Sequence, residues 1–575
     1  MPRLLTMLPS GLALACALGT AGAAEGRAAL TAAALHGRRV DLIDYSAYAP
    51  APGATTARQV FQGTLTLTQL AGSGGFSETG TGAAAAYRDP QHLPPFAFQF
   101  IQQGADLVPL RRGLLATSHP NWQYIIEPGR VWQEDGDDGY SRAAIPFALQ
   151  EKGANCTHNG VLSFLFKSDG SVSRAAFQIA GETCAYFKFD LWGMADARYM
   201  PQAIPGAAAV AAAYQAEVAA RMPTRPIAAL PDDYPSAGVV AANIGADQSA
   251  ADMTVYGVAV DGVNYVGGCQ TRRGRYPYCE VLDLPSYSLA KSIAGAIGLM
   301  RLEKKYPGSQ SVPLSDAAGP CGGAMWAGVT LLDALDMATG HYASAAYEAD
   351  EGSSTTERGF FVPSTYRAKA RHACAYGRQS APGALWVYHT SDTFLLGAAL
   401  NRVQRQHAGG IGDYYDMLTA ELWRPLRLSP AVWTTARTLD RVAVPLTGYG
   451  LTLHHDDLVK IGEFLNKDNA SIAGVPILDA TLYNEAMQRT GRHGLDTGKA
   501  GLRYLHGLWA WNAGQSQTGA PPLCPGEKWI PHMSGYGGIG LVLLPNDMIY
   551  YFVSDRFEYG FQRTLAELNK IRSLC

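Results

Sequence analysis

Between residues 203 and 236 the chain changes character, and this break constrains everything on either side of it. Ala207 to Ala220 is alanine-rich, a composition that favours helix. Met222-Pro223-Thr224-Arg225-Pro226 and Pro231-Asp232-Asp233-Tyr234-Pro235 then interrupt it, because proline removes a backbone donor and clashes with the preceding turn. Before the break, polar and apolar residues alternate with the period of a strand, as in Thr64-Leu65-Thr66-Leu67-Thr68. Val161 to Phe166 and Ala175 to Ile179 flank the turn signal Ser168-Asp169-Gly170-Ser171 and predict a hairpin. After the break, strands and helices mix. Met253 to Val260, Asp261-Gly262 and Val263 to Val266 predict a second hairpin. Leu289, Ile293, Ile297 and Met300 recur at helical spacing in a helix from Ser288 to Lys305, closed by Lys304, Lys305 and Pro307-Gly308. A chain of 575 residues exceeds what one core serves. The expected organisation is a β-rich domain over 25–202, an Ala/Pro-rich linker over 203–236 and an α+β domain over 237–575.

The start of the chain carries an export pattern. Arg3, the apolar run Leu12 to Leu18 and the small residues Ala21-Gly22-Ala23-Ala24 predict a signal peptide over 1–24, and hence a secreted or periplasmic protein. Cys16 follows Ala13-Leu14-Ala15, a poor match to a lipoprotein signal, so anchoring there is not expected. No later segment reads as a transmembrane helix. Without Cys16, eight of the nine cysteines remain, an even number in keeping with disulfides in an exported protein. Nearest-neighbour pairing would join 156–184, 269–279, 321–374 and 524–575, although spacing alone does not decide connectivity. No C-x-x-C pair is present, and no metal is expected. Glu134-Asp135-Gly136-Asp137-Asp138-Gly139 lacks the twelfth-position Glu of an EF-hand and reads as a solvated loop. His454-His455-Asp456-Asp457 reads as the capped start of a helix rather than a metal motif. A net charge of −3 without a basic block argues against nucleic-acid binding. No dinucleotide or P-loop fingerprint and no G-x-S-x-G elbow appears in its proper context, so no cofactor is expected. The sequence leaves the oligomeric state open.

Ser288-Leu289-Ala290-Lys291 places a hydroxyl and an amine on one face of a helix near its start. A serine needs a neighbouring base to become a nucleophile, and a lysine serves if burial lowers its pKa. On residues alone, a helix-start serine and a solvated lysine explain the tetrapeptide equally, but Lys291 lies in an otherwise apolar, Ala/Gly-rich helix. Further on come Val329-Thr330-Leu331-Leu332-Asp333-Ala334-Leu335-Asp336-Met337-Ala338-Thr339-Gly340 and Tyr388-His389-Thr390-Ser391-Asp392-Thr393-Phe394-Leu395-Leu396-Gly397. A third stretch reads Met533-Ser534-Gly535-Tyr536-Gly537-Gly538, upstream of Leu543-Leu544-Pro545-Asn546-Asp547.

In this order the motifs resemble the serine β-lactamase and penicillin-binding-protein superfamily, in its class C-like esterase and 6-aminohexanoate-dimer-hydrolase-like branch. The resemblance covers most of 237–575. It implies an antiparallel sheet flanked by helices, a helical lobe, and a site between them. It assigns Ser288 as nucleophile, with Lys291 and Tyr388 moving protons, and the backbone N–H groups of Ser288 and Tyr536 as an oxyanion hole. It places Tyr287, Thr390, Ser391, Ser534 and Gly535 around the substrate. Thr390 stands where the family has Asn, and Met533 where it has Lys or His. His532, one residue early, would supply the missing cation only after a bulge; a plain glycine-rich strand and turn is the alternative. The implied activity is hydrolysis of a carboxylic ester or amide, from a small or oligomeric substrate, through an acyl-enzyme. The altered third motif also leaves room for a catalytically silent protein that binds a cell-wall or polymer ligand.

Overall fold

The computed structural model describes residues 30–575 apart from 81, 183 and 517–520, and the export signal over 1–24 lies outside the described residues. It is an α+β protein with two large sheets.

The first sheet closes on itself. The strands Ser141–Glu151, Gly129–Trp132, Asp106–Pro109, Phe96–Gln103, Gln62–Gln69, Phe189–Pro201, Ala175–Glu182 and Thr157–Phe166 pair antiparallel in that order. The last then pairs with the first. This closed ring of eight strands is a barrel, with no free edge along it. Alternation sorts its residues. Leu162, Phe164 and Phe166 point into an aromatic interior with Phe61 and Phe100. Val161 and Leu165 point outward into the core shared with the rest of the chain. The predicted hairpin is present as Thr157–Phe166 and Ala175–Glu182. The acidic loop at 134–139 departs from expectation: Asp137 is 1% exposed and pairs with Arg142 at 2.7 Å, because a buried guanidinium there needs a carboxylate.

Residues 203–236 pass from one sheet to the other. The helix Ala207–Ala219 lays Tyr214 against Ile101 and Val108 of the barrel. Thr224–Pro226 then runs parallel to Val263–Gly268 as the edge strand of the second sheet.

The second sheet has nine strands, in the order 224–226, 263–268, 253–260, 549–554, 539–543, 529–535, 508–512, 502–505 and 495–496. The hairpin predicted at Asp261-Gly262 is present, with φ of 50° and 79° at the two turn residues, the left-handed pair a two-residue loop requires. One face carries Ile539, Leu541, Tyr551 and Val553 into the main core with the helix at 289–305. The other carries Val542, Tyr550 and Phe552 against Leu565 and Leu568 of the C-terminal helix Gln562–Ile571. Thr330 and Asp333 form a capping box at the start of Leu331–Leu335, and Thr390–His407 is the long buried helix beside the site. Disulfides join 156–184, 269–279, 321–374 and 524–575, the nearest-neighbour pairs. No helix among the described residues is long and apolar enough to cross a membrane.

Candidate active site

Ser288 sits on a tight turn between a short strand and a helix. Leu284–Pro285 pairs with Thr452–Leu453, the chain turns through Ser286 and Tyr287, and the helix begins at residue 289. Tyr287 has φ of 41°, a left-handed conformation that costs a bulky residue about 1–2 kcal/mol. Its ring is buried beside that of Tyr536, with centroids 5.5 Å apart. The first turns of the helix, Lys291–Ala296, are widened to π geometry, a distortion common at functional sites.

Two groups converge on the Ser288 hydroxyl. Lys291 Nζ lies 2.9 Å from Ser288 Oγ, and the Tyr388 hydroxyl donates to the same oxygen at 2.7 Å. Lys291 Nζ also reaches Thr390 Oγ1 at 2.8 Å and the Gly448 carbonyl at 3.2 Å. Lys291 is 2% exposed, and burial pulls its pKa from 10.5 to about 8 against the opposing pull of Glu351 and Glu348. Its nitrogen lies 4.8 Å from the centroid of the Tyr388 ring. Burial, reinforced by Glu351, pushes the Tyr388 phenol well above its usual range. The phenol therefore stays protonated and is a hydrogen-bond donor to Ser288, and the Lys291 amine gives up its proton more readily than a solvated lysine.

The substrate-side assignments separate. Thr390 is 2% exposed, and its hydroxyl bridges Lys291 and a carboxylate oxygen of Glu351, whose other oxygen accepts from Thr390 N at 2.9 Å. It thus belongs to the proton network rather than to an open subsite. Ser391 is buried in the first turn of the same helix. On the third strand, Gly535 is required: a Cβ there would lie 2.8 Å from Leu289 Cδ1 and 2.8 Å from the Ser286 carbonyl. Met533, on the same strand face, is fully buried in the main core. Ser534 is half-buried on the opposite face.

His532 is a correction. The strand Trp529–Gly535 pairs with both neighbours without a bulge. The His532 ring packs 5.2 Å from Phe561 and 6.5 Å from Trp509, its Nδ1 facing the Ile530 carbonyl. Burial lowers its pKa to about 4, so it is neutral and supplies no cation. The Tyr536 side chain is 44% exposed. Among the described residues, neither the Ser288 N–H nor the Tyr536 N–H donates to a protein acceptor, which leaves both for a ligand oxygen.

Sequence reasoning missed several groups. Glu351 lies in an acidic run, Glu348-Ala349-Asp350-Glu351, with nothing to separate it from a surface stretch. Gly448 contributes only a carbonyl. Asn155, from the barrel, touches the turn before Ser288 from 132 residues away, with Oδ1 accepting from Tyr287 N at 2.7 Å. The helix start at 454–457 is capped as expected, Asp457 Oδ2 accepting from His454 N at 2.8 Å. His454 Nε2 also lies 3.6 Å from Asp283 and 3.7 Å from Glu127, all three buried at the seam of barrel and second sheet. The other oxygen of Glu127 is held by Arg112 at 2.5 Å.

No protein-family model matches the sequence, and no curated protein matches it. Solved structures do. A Bacillus anthracis protein assigned as a 6-aminohexanoate-dimer hydrolase is 16% identical over 56% of this chain and 78% of its own, with a TM-score of 0.41. A family VIII carboxylesterase is 15% identical over 59% and 99%, at 0.39. A class C β-lactamase mutant is 15% identical over 64% and 98%, at 0.37.

Proposed function

We propose that this protein is an exported serine hydrolase that cleaves a carboxylic ester or amide through an acyl-enzyme on Ser288. One observation carries this: the Ser288 hydroxyl lies within hydrogen-bond reach of both a buried amine held near neutrality and a protonated phenol. The chemistry follows from their states. Neutral Lys291 takes the proton of Ser288 as Oγ bonds to the substrate carbonyl carbon. The resulting oxyanion accepts from Ser288 N–H and Tyr536 N–H. The bond to the leaving oxygen or nitrogen then breaks as the Tyr388 hydroxyl gives that atom its proton, and the Lys291 ammonium gives up the proton it took to the phenolate, so both groups regain their starting states. Water attacks the acyl carbonyl and gives a proton to Lys291, and as the acyl–Oγ bond breaks Lys291 returns that proton to Ser288 Oγ, releasing the acid with both groups restored.

Carboxylate-bearing substrates fit poorly. Met533 is buried and uncharged, His532 is neutral, and the charges near Lys291 are the carboxylates Glu351 and Glu348. Neutral or cationic acyl donors are the expected class. The test is intact-mass spectrometry after a fluorophosphonate probe, comparing wild type with Ser288→Ala. One adduct on the wild type, absent from the variant, supports the proposal. No adduct on folded wild type refutes it and favours a binding protein, for which the loss of the third-motif cation is the supporting observation.

A further inference from the structure

The barrel reaches into the turn before Ser288 through the side chain of Asn155. Asn155 lies in the loop joining the strands Ser141–Glu151 and Thr157–Phe166, and it is 1% exposed. Its Oδ1 accepts from Tyr287 N at 2.7 Å, Gly450 N at 3.1 Å and Ser286 Oγ at 3.2 Å. Its Nδ2 donates to the Leu451 carbonyl at 3.1 Å. Each amide atom is therefore engaged, and every partner belongs to the second sheet's half of the chain.

The two segments it ties are those that set the reacting groups. Ser286 and Tyr287 immediately precede Ser288, and Tyr287 is held at the unfavourable φ of 41°. Gly450 and Leu451 lie two and three residues beyond Gly448, whose carbonyl binds Lys291 Nζ. One amide thus fixes the distance between the strand that presents the nucleophile and the strand that orients its base. The surrounding loop is itself clamped. Gln150 Oε1 accepts from Thr452 Oγ1 at 2.6 Å, the Gly153 carbonyl accepts from Tyr449 at 3.4 Å, and Cys156 is bonded to Cys184. A strained turn persists only where its surroundings over-determine it, and here the surroundings come from the other sheet.

We infer that Asn155 is a positioning residue for Ser288 and Lys291, and that the barrel is a built-in wall of the active site rather than a separate binding module. The inference rests on the proposed hydrolase for its catalytic readout. Asn155→Ala strands the buried N–H groups of Tyr287 and Gly450, while Ser286 Oγ keeps the Tyr287 carbonyl as an acceptor at 3.1 Å, and Asn155→Asp keeps the acceptor oxygen while losing the donor to Leu451. The acylation rate of Ser288 by a fluorophosphonate and the kcat and KM for an activated ester are measured for both, with circular dichroism reporting the folded fraction. Asn155→Ala is expected to lower kcat and acylation by about 100-fold, the scale of a misplacement near 1 Å, with KM within about twofold. Asn155→Asp is expected to recover part of that loss. Acylation by folded Asn155→Ala within about threefold of wild type overturns the inference, as does Asn155→Asp being no better than Asn155→Ala. Amide exchange at Tyr287 and Gly450 tests the same contact without any reaction, including where Asn155→Ala folds only in part. Protection in the wild type that is lost in Asn155→Ala and kept in Asn155→Asp, which retains the acceptor oxygen, supports the tie, and unchanged exchange in Asn155→Ala refutes it. A wild type that fails to label at Ser288 refutes the hydrolase alone, and exchange still decides the role of Asn155.

Discussion

Titrating Lys291 tests the proposed chemistry most directly. Burial lowers its pKa from 10.5 to about 8, so the reactive form is the majority species only above that pH. The rate of Ser288 acylation should rise about tenfold per pH unit below 8 and level off above it. The Tyr388 phenol is raised well above its usual range, so no falling limb from its ionisation is expected before pH 10. Stability carries the same signature with a defined sign. Between pH 8 and 10.5 the unfolded chain binds the proton that the folded chain has lost, so unfolding free energy rises with pH across that window. The full effect is about 3 kcal/mol, at 1.36 kcal/mol per unit. Lys369, also buried and pulled down to about 7, titrates in an overlapping range. The difference between wild type and Lys291→Met therefore isolates the term. Lys291→Met should abolish acylation. Its stability advantage over wild type should be largest below pH 8 and shrink by about 3 kcal/mol as pH rises past 10.5. The assays are stopped-flow acylation from pH 5 to 10 and urea unfolding from pH 5 to 11. A flat rate profile, or a Lys291→Met variant that still acylates, would refute the reasoning.

Three further outcomes follow from the same geometry. Tyr388→Phe removes the donor 2.7 Å from Ser288 Oγ, and kcat for ester hydrolysis should fall by about 100- to 1,000-fold with the fold intact; near-normal turnover would take the phenol out of the mechanism. Gly535→Ala puts a methyl 2.8 Å from both Leu289 Cδ1 and the Ser286 carbonyl, so it should destabilise by about 1–3 kcal/mol and depress kcat more than KM, read by thermal unfolding and steady-state kinetics. Replacing Cys156 and Cys184 by Ala opens a cross-link of separation 28, which chain entropy values at about 3–4 kcal/mol; because it anchors the Asn155 loop, calorimetry should show lost stability together with slower acylation.

Local chemistry was legible along the chain. The period-two runs, the Asp261-Gly262 turn, the helix after Ser288 and the S-x-x-K spacing each depend on neighbours a few residues apart, and each appears in the structure. The spacing of Ser288 and Lys291 alone put hydroxyl and amine on one helical face. What the sequence could not decide was anything set by distant partners. Closure of the barrel depends on the 141–151 strand finding 157–166 on one side and 129–132 on the other. The protonation states depend on burial and on Glu351, which local sequence does not display. His532 failed as a cation for the same reason, since its environment is Phe561 and Trp509 rather than solvent. Asn155 carried no signal at all, because an asparagine before a cysteine looks like any loop. Only the docking of the barrel onto the second sheet, through a shared apolar core, brings it into hydrogen-bond contact with the turn before Ser288.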